Sequence, residues 1–254
     1  MKSVRESPVS YFLPIGEEEV LMNELLNKKI RIKFKLQINC IKCGRKTNKS
    51  FAQGFCYPCF ISAPETEECV LRPDLCKAHK GIACDMEFAA THCLIDHFVY
   101  IAYTGSIKVG VTRHTQIPTR WIDQGATAAI TIVRTPNRYT AGLIEVALKK
   151  IMADKTNWRN MLKDISDIDL SDEKLKAQKY LGKEHKEFCI ENSETEYINY
   201  PVLKIPDKVK SISLDKTPVV EGILTGIKGQ YLIFENGEVL NIRKHGGYLV
   251  ELSF

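Results

Sequence analysis

The stretch HFVYIAYTGSIKVGVTR, residues 97–113, decides how the rest of the chain is read. Residues 99–102 form a short apolar run, Thr104-Gly105-Ser106 is turn material, and residues 107–111 form a second run. Two β-rich runs split by a glycine-containing turn predict a hairpin. In RHTQIPTRWIDQG, which follows, a helix starts at Thr115 or Gln116, Pro118 suits its first turn and Gly125 ends it. TAAITIVRT (127–135) is a third strand, rich in Ile, Val and Thr. Pro136-Asn137 marks a turn, and AGLIEVALKKIM (141–152) reads as a helix apolar almost all round, hence buried. Glu145 is the only charge between Ala141 and Leu148. A carboxylate in such a helix needs a partner, either a metal ion or an arginine such as Arg120 or Arg138.

This order of strand, strand, helix, strand, helix, with these residues, resembles the GIY-YIG nuclease domain. Phe98-Val99-Tyr100 stands where that family has its first motif, and Lys108-Val109-Gly110 where it has the second. Phe98 replaces the first Gly, Lys108 replaces the second Tyr, and the step from Gly110 to Arg120 is slightly long. The resemblance implies a catalytic set of Tyr100, Lys108, Arg120, Glu145 and Asn157. Glu145 would then hold Mg²⁺ or Mn²⁺, Arg120 would neutralise phosphate charge, and Tyr100, assisted by Lys108, would take part in proton removal. On composition alone, a mid-strand tyrosine is more often a packing residue.

Eight of the nine cysteines fall between Cys40 and Cys93. A chain of 254 residues without a secretory apolar core in MKSVRESPVSYFLPIGEEE is not a small secreted disulfide scaffold, so metal is the better use for them. CIKCGRKTNKSFAQGFCYPC supplies Cys40-x2-Cys43 and Cys56-x2-Cys59, and two such pairs close a tetrahedral Zn²⁺ site. All four ligands are thiolates, so no vertex remains for water and the site is structural. A second cluster, Cys69-x6-Cys76-x2-His79, can supply three more ligands. The fourth can be Cys84, His92, Cys93 or His97, and spacing does not choose between them. His92 is favoured because a helix over 86–94 brings it back, giving a second possible zinc site of Cys69, Cys76, His79 and His92. Zinc ribbon, second cluster and GIY-YIG-like stretch together are similar to an uncharacterised bacterial family, a domain of unknown function.

Before the cysteines, residues 29–38 alternate. Ile30, Ile32, Phe34, Leu36 and Ile38 face one way, while Lys29, Arg31, Lys33 and Lys35 make a basic outer face. That face is either solvated or a phosphate-contacting stripe. After the central stretch, residues 166–172 read as an acidic loop, and Ser171 opens a capped, exposed helix. From about Val202 the pattern turns to short strands, with Asn236-Gly237 as a hairpin signal. These predict a small SH3- or OB-type barrel, to which the strand at 30–38 can add. Lys228, Arg243, Lys244 and His245 are candidate phosphate contacts on it, with Tyr231 and Tyr248 for stacking.

The fold class expected is α+β: an N-terminal strand and zinc module over 1–96, a GIY-YIG-like ββαβα domain with helical extension over 97–200, and a small barrel over 201–254. No apolar run approaches the roughly 18 residues of a membrane span, so a cytoplasmic protein with no membrane partner is expected. The net charge of +5 permits a nucleic-acid partner, DNA or RNA, without demanding one. Three functions follow: metal-dependent phosphodiester hydrolysis, non-catalytic nucleic-acid binding, or a zinc-stapled scaffold for protein contacts. Composition does not set the oligomeric state.

Overall fold

The computed structural model describes residues 1–163 and 168–254. The acidic loop expected from residue 166 therefore lies partly outside the described residues. The protein is a mixed α+β chain. In order, it has strands β1 (Lys2–Val4), β2 (Ser10–Ile15), β3 (Glu18–Leu21), β4 (Lys29–Asn39) and β5 (Lys46–Thr47), then helices α1 (Tyr57–Ser62), α2 (Glu68–Leu71) and α3 (Met86–His92). Next come β6 (His97–Tyr103), β7 (Ile107–Arg113), α4 (Thr119–Asp123), β8 (Ala128–Thr135), α5 (Arg138–Leu148), α6 (Trp158–Lys163), α7 (Ser171–Tyr180) and β9 (Glu196–Tyr197). The chain ends with β10 (Lys210–Ile212), β11 (Val219–Lys228), β12 (Tyr231–Phe234), β13 (Glu238–Asn241) and β14 (Tyr248–Ser253). Among the described residues, no helix is long and apolar enough to cross a membrane.

Three segments were expected, but the contacts divide the chain into two units: residues 1–66 with 199–254, and residues 67–198. The reason is β4. It pairs antiparallel with both β11 and β14, so the N-terminal strand lies inside the C-terminal sheet. Strands run β10-β13-β12-β11-β4-β14, with β5 on β4. Among the described residues, the first and last strands of this path do not pair, so the sheet is an open half-barrel rather than a closed one. Ile30, Ile32, Phe34 and Ile38 are buried in alternation, as a half-buried strand requires. Leu36 departs from it: its backbone is left-handed (φ 58°), its side chain is 73% exposed, and the register to β14 shifts nearby. The basic outer face is largely neutralised across strands, Lys29 and Arg31 by Glu221 (2.6 and 3.6 Å) and Lys35 by Glu251.

The second unit holds the five elements read from residues 97–152, in the expected order. Its sheet runs β7-β6-β8-β9, all antiparallel. Val99, Ile101 and Val109 point into a core with Ile130, Ile132, Ile144 and Leu148. Tyr100 lies opposite Gly110, and Ala102 opposite Lys108, so these residues share the other face. Helix α5 starts three residues earlier than its apolar run, because Asn137 caps it by accepting from the Thr140 N–H (2.9 Å). It ends at Leu148, and Leu143 and Val146 are exposed, so the helix is buried on one side only.

Candidate functional site

Three places gather chemistry-bearing side chains. In the first unit, the chain turns sharply out of β4. Gly44, in the left-handed region (φ 71°), lets its N–H reach the Cys40 carbonyl (2.8 Å) before β5 returns. Cys56 precedes α1 and Cys59 lies in its first turn, so the helix start presents both sulfurs together. The sulfurs of Cys40, Cys43, Cys56 and Cys59 all lie within 4.8 Å of one another. Cys43 and Cys56 are 3.8 Å apart. That is far beyond the bonded S–S length of about 2.05 Å. It equals the edge, about 3.8 Å, of a tetrahedron with Zn–S near 2.3 Å. Burial raises the Cys40 thiol, but the backbone N–H groups of Cys56, Cys43 and Lys42 outweigh it and bring it to about 6. Neighbouring sulfurs and burial push Cys59 up to about 12, the mark of thiols crowded at one point. The residues therefore fit one zinc ion.

In the second cysteine cluster the sulfurs of Cys69, Cys76 and Cys93 interact with one another, and Cys69, Cys76 and His79 line one cavity. His79 stacks on Tyr139 (centroids 4.1 Å apart). His92 stacks on Phe88 of its own helix (3.8 Å), its Nδ1 3.2 Å from the Phe88 carbonyl. Helix α3 ends at His92, and Cys93 follows it as the C-cap. Helix α5 packs on this segment so tightly that a Cβ at Gly142 would fall 2.2 Å from the Asp74 nitrogen.

The third group lies on the Tyr100 face of the β6–β7 hairpin. Tyr100 is fully buried and its phenol donates to Gln124 Oε1 (3.0 Å). Its ring meets Trp121 edge-on, with centroids 6.0 Å apart. A Cβ at Gly110 would sit 2.6 Å from the phenol oxygen, so only glycine fits opposite Tyr100. Burial pushes the phenol above its usual value, while Arg120 and Gln124 favour the phenolate. Arg120 is the cation that acts most strongly on Tyr100. Lys108, 4% exposed, is brought down to about 8, mainly by burial and then by Arg120, against the pull of Glu145 and Asp154. Glu145 is 8% exposed and pairs with Lys149 (3.3 Å), whose ammonium also meets Asp154 (3.4 Å). Burial raises the Glu145 carboxyl, and Lys149 and Lys108 oppose the rise. Among the described residues, no ion pair joins Arg120 to Glu145.

The fold thus brings Tyr100, Lys108, Arg120 and Glu145 into one electrostatically coupled cluster, from β6, β7, α4 and α5. Asn157 is not part of it. It is exposed and caps α6, its Oδ1 accepting from the Arg159 N–H (3.1 Å). Three members escaped sequence reasoning. Lys149 was legible as the residue four after Glu145. Gln124 had no signal. Asp154 arrives because the Val109 N–H bonds the Ala153 carbonyl (2.8 Å), a pairing that no local pattern announces. Two carboxylates, Glu145 and Asp154, converge on one ammonium.

Of the candidate phosphate contacts of the C-terminal sheet, Lys228 and His245 are buried and engaged internally, while Arg243 and Lys244 are exposed. Lys228 is 1% exposed, over the Tyr200 ring. His245 accepts from the Leu214 N–H (3.1 Å), and the Tyr248 hydroxyl donates to Asp215 (2.7 Å).

A family profile described as "Protein of unknown function (DUF2797)" matches residues 27–250. No curated protein and no solved structure matches the chain.

Proposed function

The chain belongs to this family, DUF2797, and from that premise we propose that residues 97–163 are a divergent GIY-YIG-like domain that hydrolyses phosphodiesters in nucleic acid. The observation that carries the reading is the coupling of Tyr100, Lys108, Arg120 and Glu145, up to 45 residues apart in sequence, at one place. A hydrophobic core gains nothing from importing a phenol, an ammonium, a guanidinium and a carboxylate together, because each loses solvation there. Phosphate chemistry uses all four.

In this reading Glu145 and Asp154 would hold Mg²⁺ or Mn²⁺ in the place that the Lys149 ammonium occupies. The ion would supply Lewis-acid stabilisation of the phosphate and a water of lowered pKa. Arg120, half-exposed, binds a non-bridging phosphate oxygen and meets the charge that develops on it. Lys108 adds a second cation below pH 8. Tyr100 keeps its proton, which it donates to Gln124, because burial outweighs the pull of Arg120 toward the phenolate. The Cys40–Cys59 zinc site is structural, and the protein acts in the cytoplasm on DNA or RNA.

The Lys149–Glu145 pair favours a second reading. An ammonium already neutralises the carboxylate, so the cluster can bind phosphate through Lys108, Arg120 and Lys149 without cutting. The experiment is a cleavage assay on plasmid, branched DNA and RNA with Mg²⁺ or Mn²⁺, with Glu145→Ala alongside. Metal-dependent cutting lost in the variant supports hydrolysis. Salt-sensitive retention without cutting supports the second reading. Neither would leave the zinc-stapled scaffold.

A further inference from the structure

The segment from Cys69 to His97 contains a buried, half-satisfied group of side chains that the hydrolysis reading does not use. Cys76 and Cys93 are 3% and 4% exposed and pack with Ala78 and Ala89, with Cys69 against them. All three are free thiols. His97, four residues after Cys93 and the first residue of β6, is 1% exposed, and its ring feels the charges of Cys76 and Arg138. Its Nδ1 is 2.8 Å from the Ile95 carbonyl. A carbonyl only accepts, so the ring proton is on Nδ1 and Nε2 presents a lone pair. That Nε2 is buried and has no hydrogen-bond partner. A buried imidazole nitrogen left bare is costly. A histidine that donates from one nitrogen to a backbone carbonyl while the other is a bare lone pair is oriented as metal-binding histidines are.

Charge points the same way. Arg138, at the start of α5, is 9% exposed. Its guanidinium donates to the carbonyls of Cys69 (3.4 Å) and His92 (3.3 Å), and its own N–H to the Cys93 carbonyl (2.8 Å). Among the described residues it has no carboxylate partner. A buried guanidinium without an anion is unfavourable. Three thiolates and a neutral imidazole around a divalent ion carry one net negative charge, placed where Arg138 needs it.

We propose that Cys69, Cys76, Cys93 and His97 Nε2 form a second zinc site, a closed Cys₃His centre whose charge is balanced by Arg138. Four protein ligands leave no vertex for water, so the ion is structural. It ties the segment carrying Cys69 and Cys76 to the end of α3, to the start of β6 and, through Arg138, to α5. Those last two elements carry Tyr100 and Glu145. Among the described residues only the Cys40–Cys59 set has all its ligand atoms within 4.8 Å of one another, so this second site requires its ligands to draw together around the ion.

The test is zinc content of the purified full chain, with cobalt substitution as the spectroscopic probe. The wild-type chain is expected to hold two zinc ions, Cys59→Ser one, and His97→Ala one. His79→Ala, His92→Ala and Cys84→Ser should keep both. X-ray absorption at the zinc edge should show sulfur at about 2.3 Å with a minor nitrogen shell near 2.0 Å. Should His97→Ala fail to fold, His97→Cys restores a fourth ligand. It is expected to keep two ions and to move the cobalt spectrum to an all-thiolate pattern. One zinc ion in the wild type that Cys59→Ser removes, two in His97→Ala, or an unchanged cobalt spectrum in His97→Cys would each overturn the proposal.

Discussion

The four thiols at Cys40–Cys59 and the charged cluster around Glu145 are both sets of functional side chains brought together by folding, but they are assembled in opposite ways. The thiol set comes from two short pairs on one hairpin and one helix start, separated by twelve residues, and its groups are incomplete without an ion. The charged cluster draws on two strands, two helices and a returning loop. It already satisfies much of its own charge, with Lys149 between Glu145 and Asp154. A site with unmet valence depends on a ligand to fold. A site with internal partners can fold without one and must give up a contact to work.

Removing a zinc ligand should expose that contrast most strongly. Metal binding to such thiolate sets is coupled to folding by roughly 10–16 kcal/mol. Cys59→Ser is therefore expected to open residues 40–66 to proteolysis and to release its zinc. Retained protease resistance would mean that the hairpin stands without metal. In the charged cluster, by contrast, Glu145→Gln should leave the fold in place and lower phosphodiester cleavage by about 10²-fold or more. A matching fall in nucleic-acid retention would show that the carboxylate serves binding rather than chemistry.

Glycine sharpens the comparison on a smaller scale. Gly110→Ala drives a methyl into the Tyr100 phenol and should cost about 1–3 kcal/mol by overpacking. Gly44→Ala meets no atom within 4 Å, and only its left-handed backbone objects, at about 1 kcal/mol. Denaturant midpoints of the two variants test that order. Lys108 adds an effect confined to alkaline pH. Its ammonium has a pKa near 8 in the fold against 10.5 when unfolded, so between those values the unfolded chain binds more protons. Stability should rise with pH across that window and Lys108→Met should flatten the rise. An identical slope in both proteins would refute the burial. Least of all, Lys29→Ala on the exposed face of β4 should change stability by about 0.5 kcal/mol or less, because its pair with Glu221 is solvated.

Much of this was legible along the chain. Alternation marked β4, and the Cys-x2-Cys pairs marked the zinc set, because both signals repeat within a few residues. The hairpin, the helix carrying Arg120 and the helix carrying Glu145 were visible for the same reason. The places where the reading slipped share another cause. Leu36 turned outward because a bulge changes parity within a single strand. At the end of α3, helical spacing by itself does not tell which side chain faces the sulfurs of Cys69 and Cys76. Asn157 is a helix cap rather than a member of the cluster.

What the sequence determined by itself is therefore the set of local elements and the thiolate quartet, since periodicity and ligand spacing are properties of neighbouring residues. What only the tertiary structure decided is how the elements combine. It placed an N-terminal strand inside a C-terminal sheet and brought Asp154 beside Lys149. It also left one imidazole nitrogen of His97 bare, packed three thiols together nearby in the chain and buried Arg138. Those outcomes depend on burial and close approach between distant segments. Burial and approach set the energy of a charge or a lone pair, and neither is encoded at any one position.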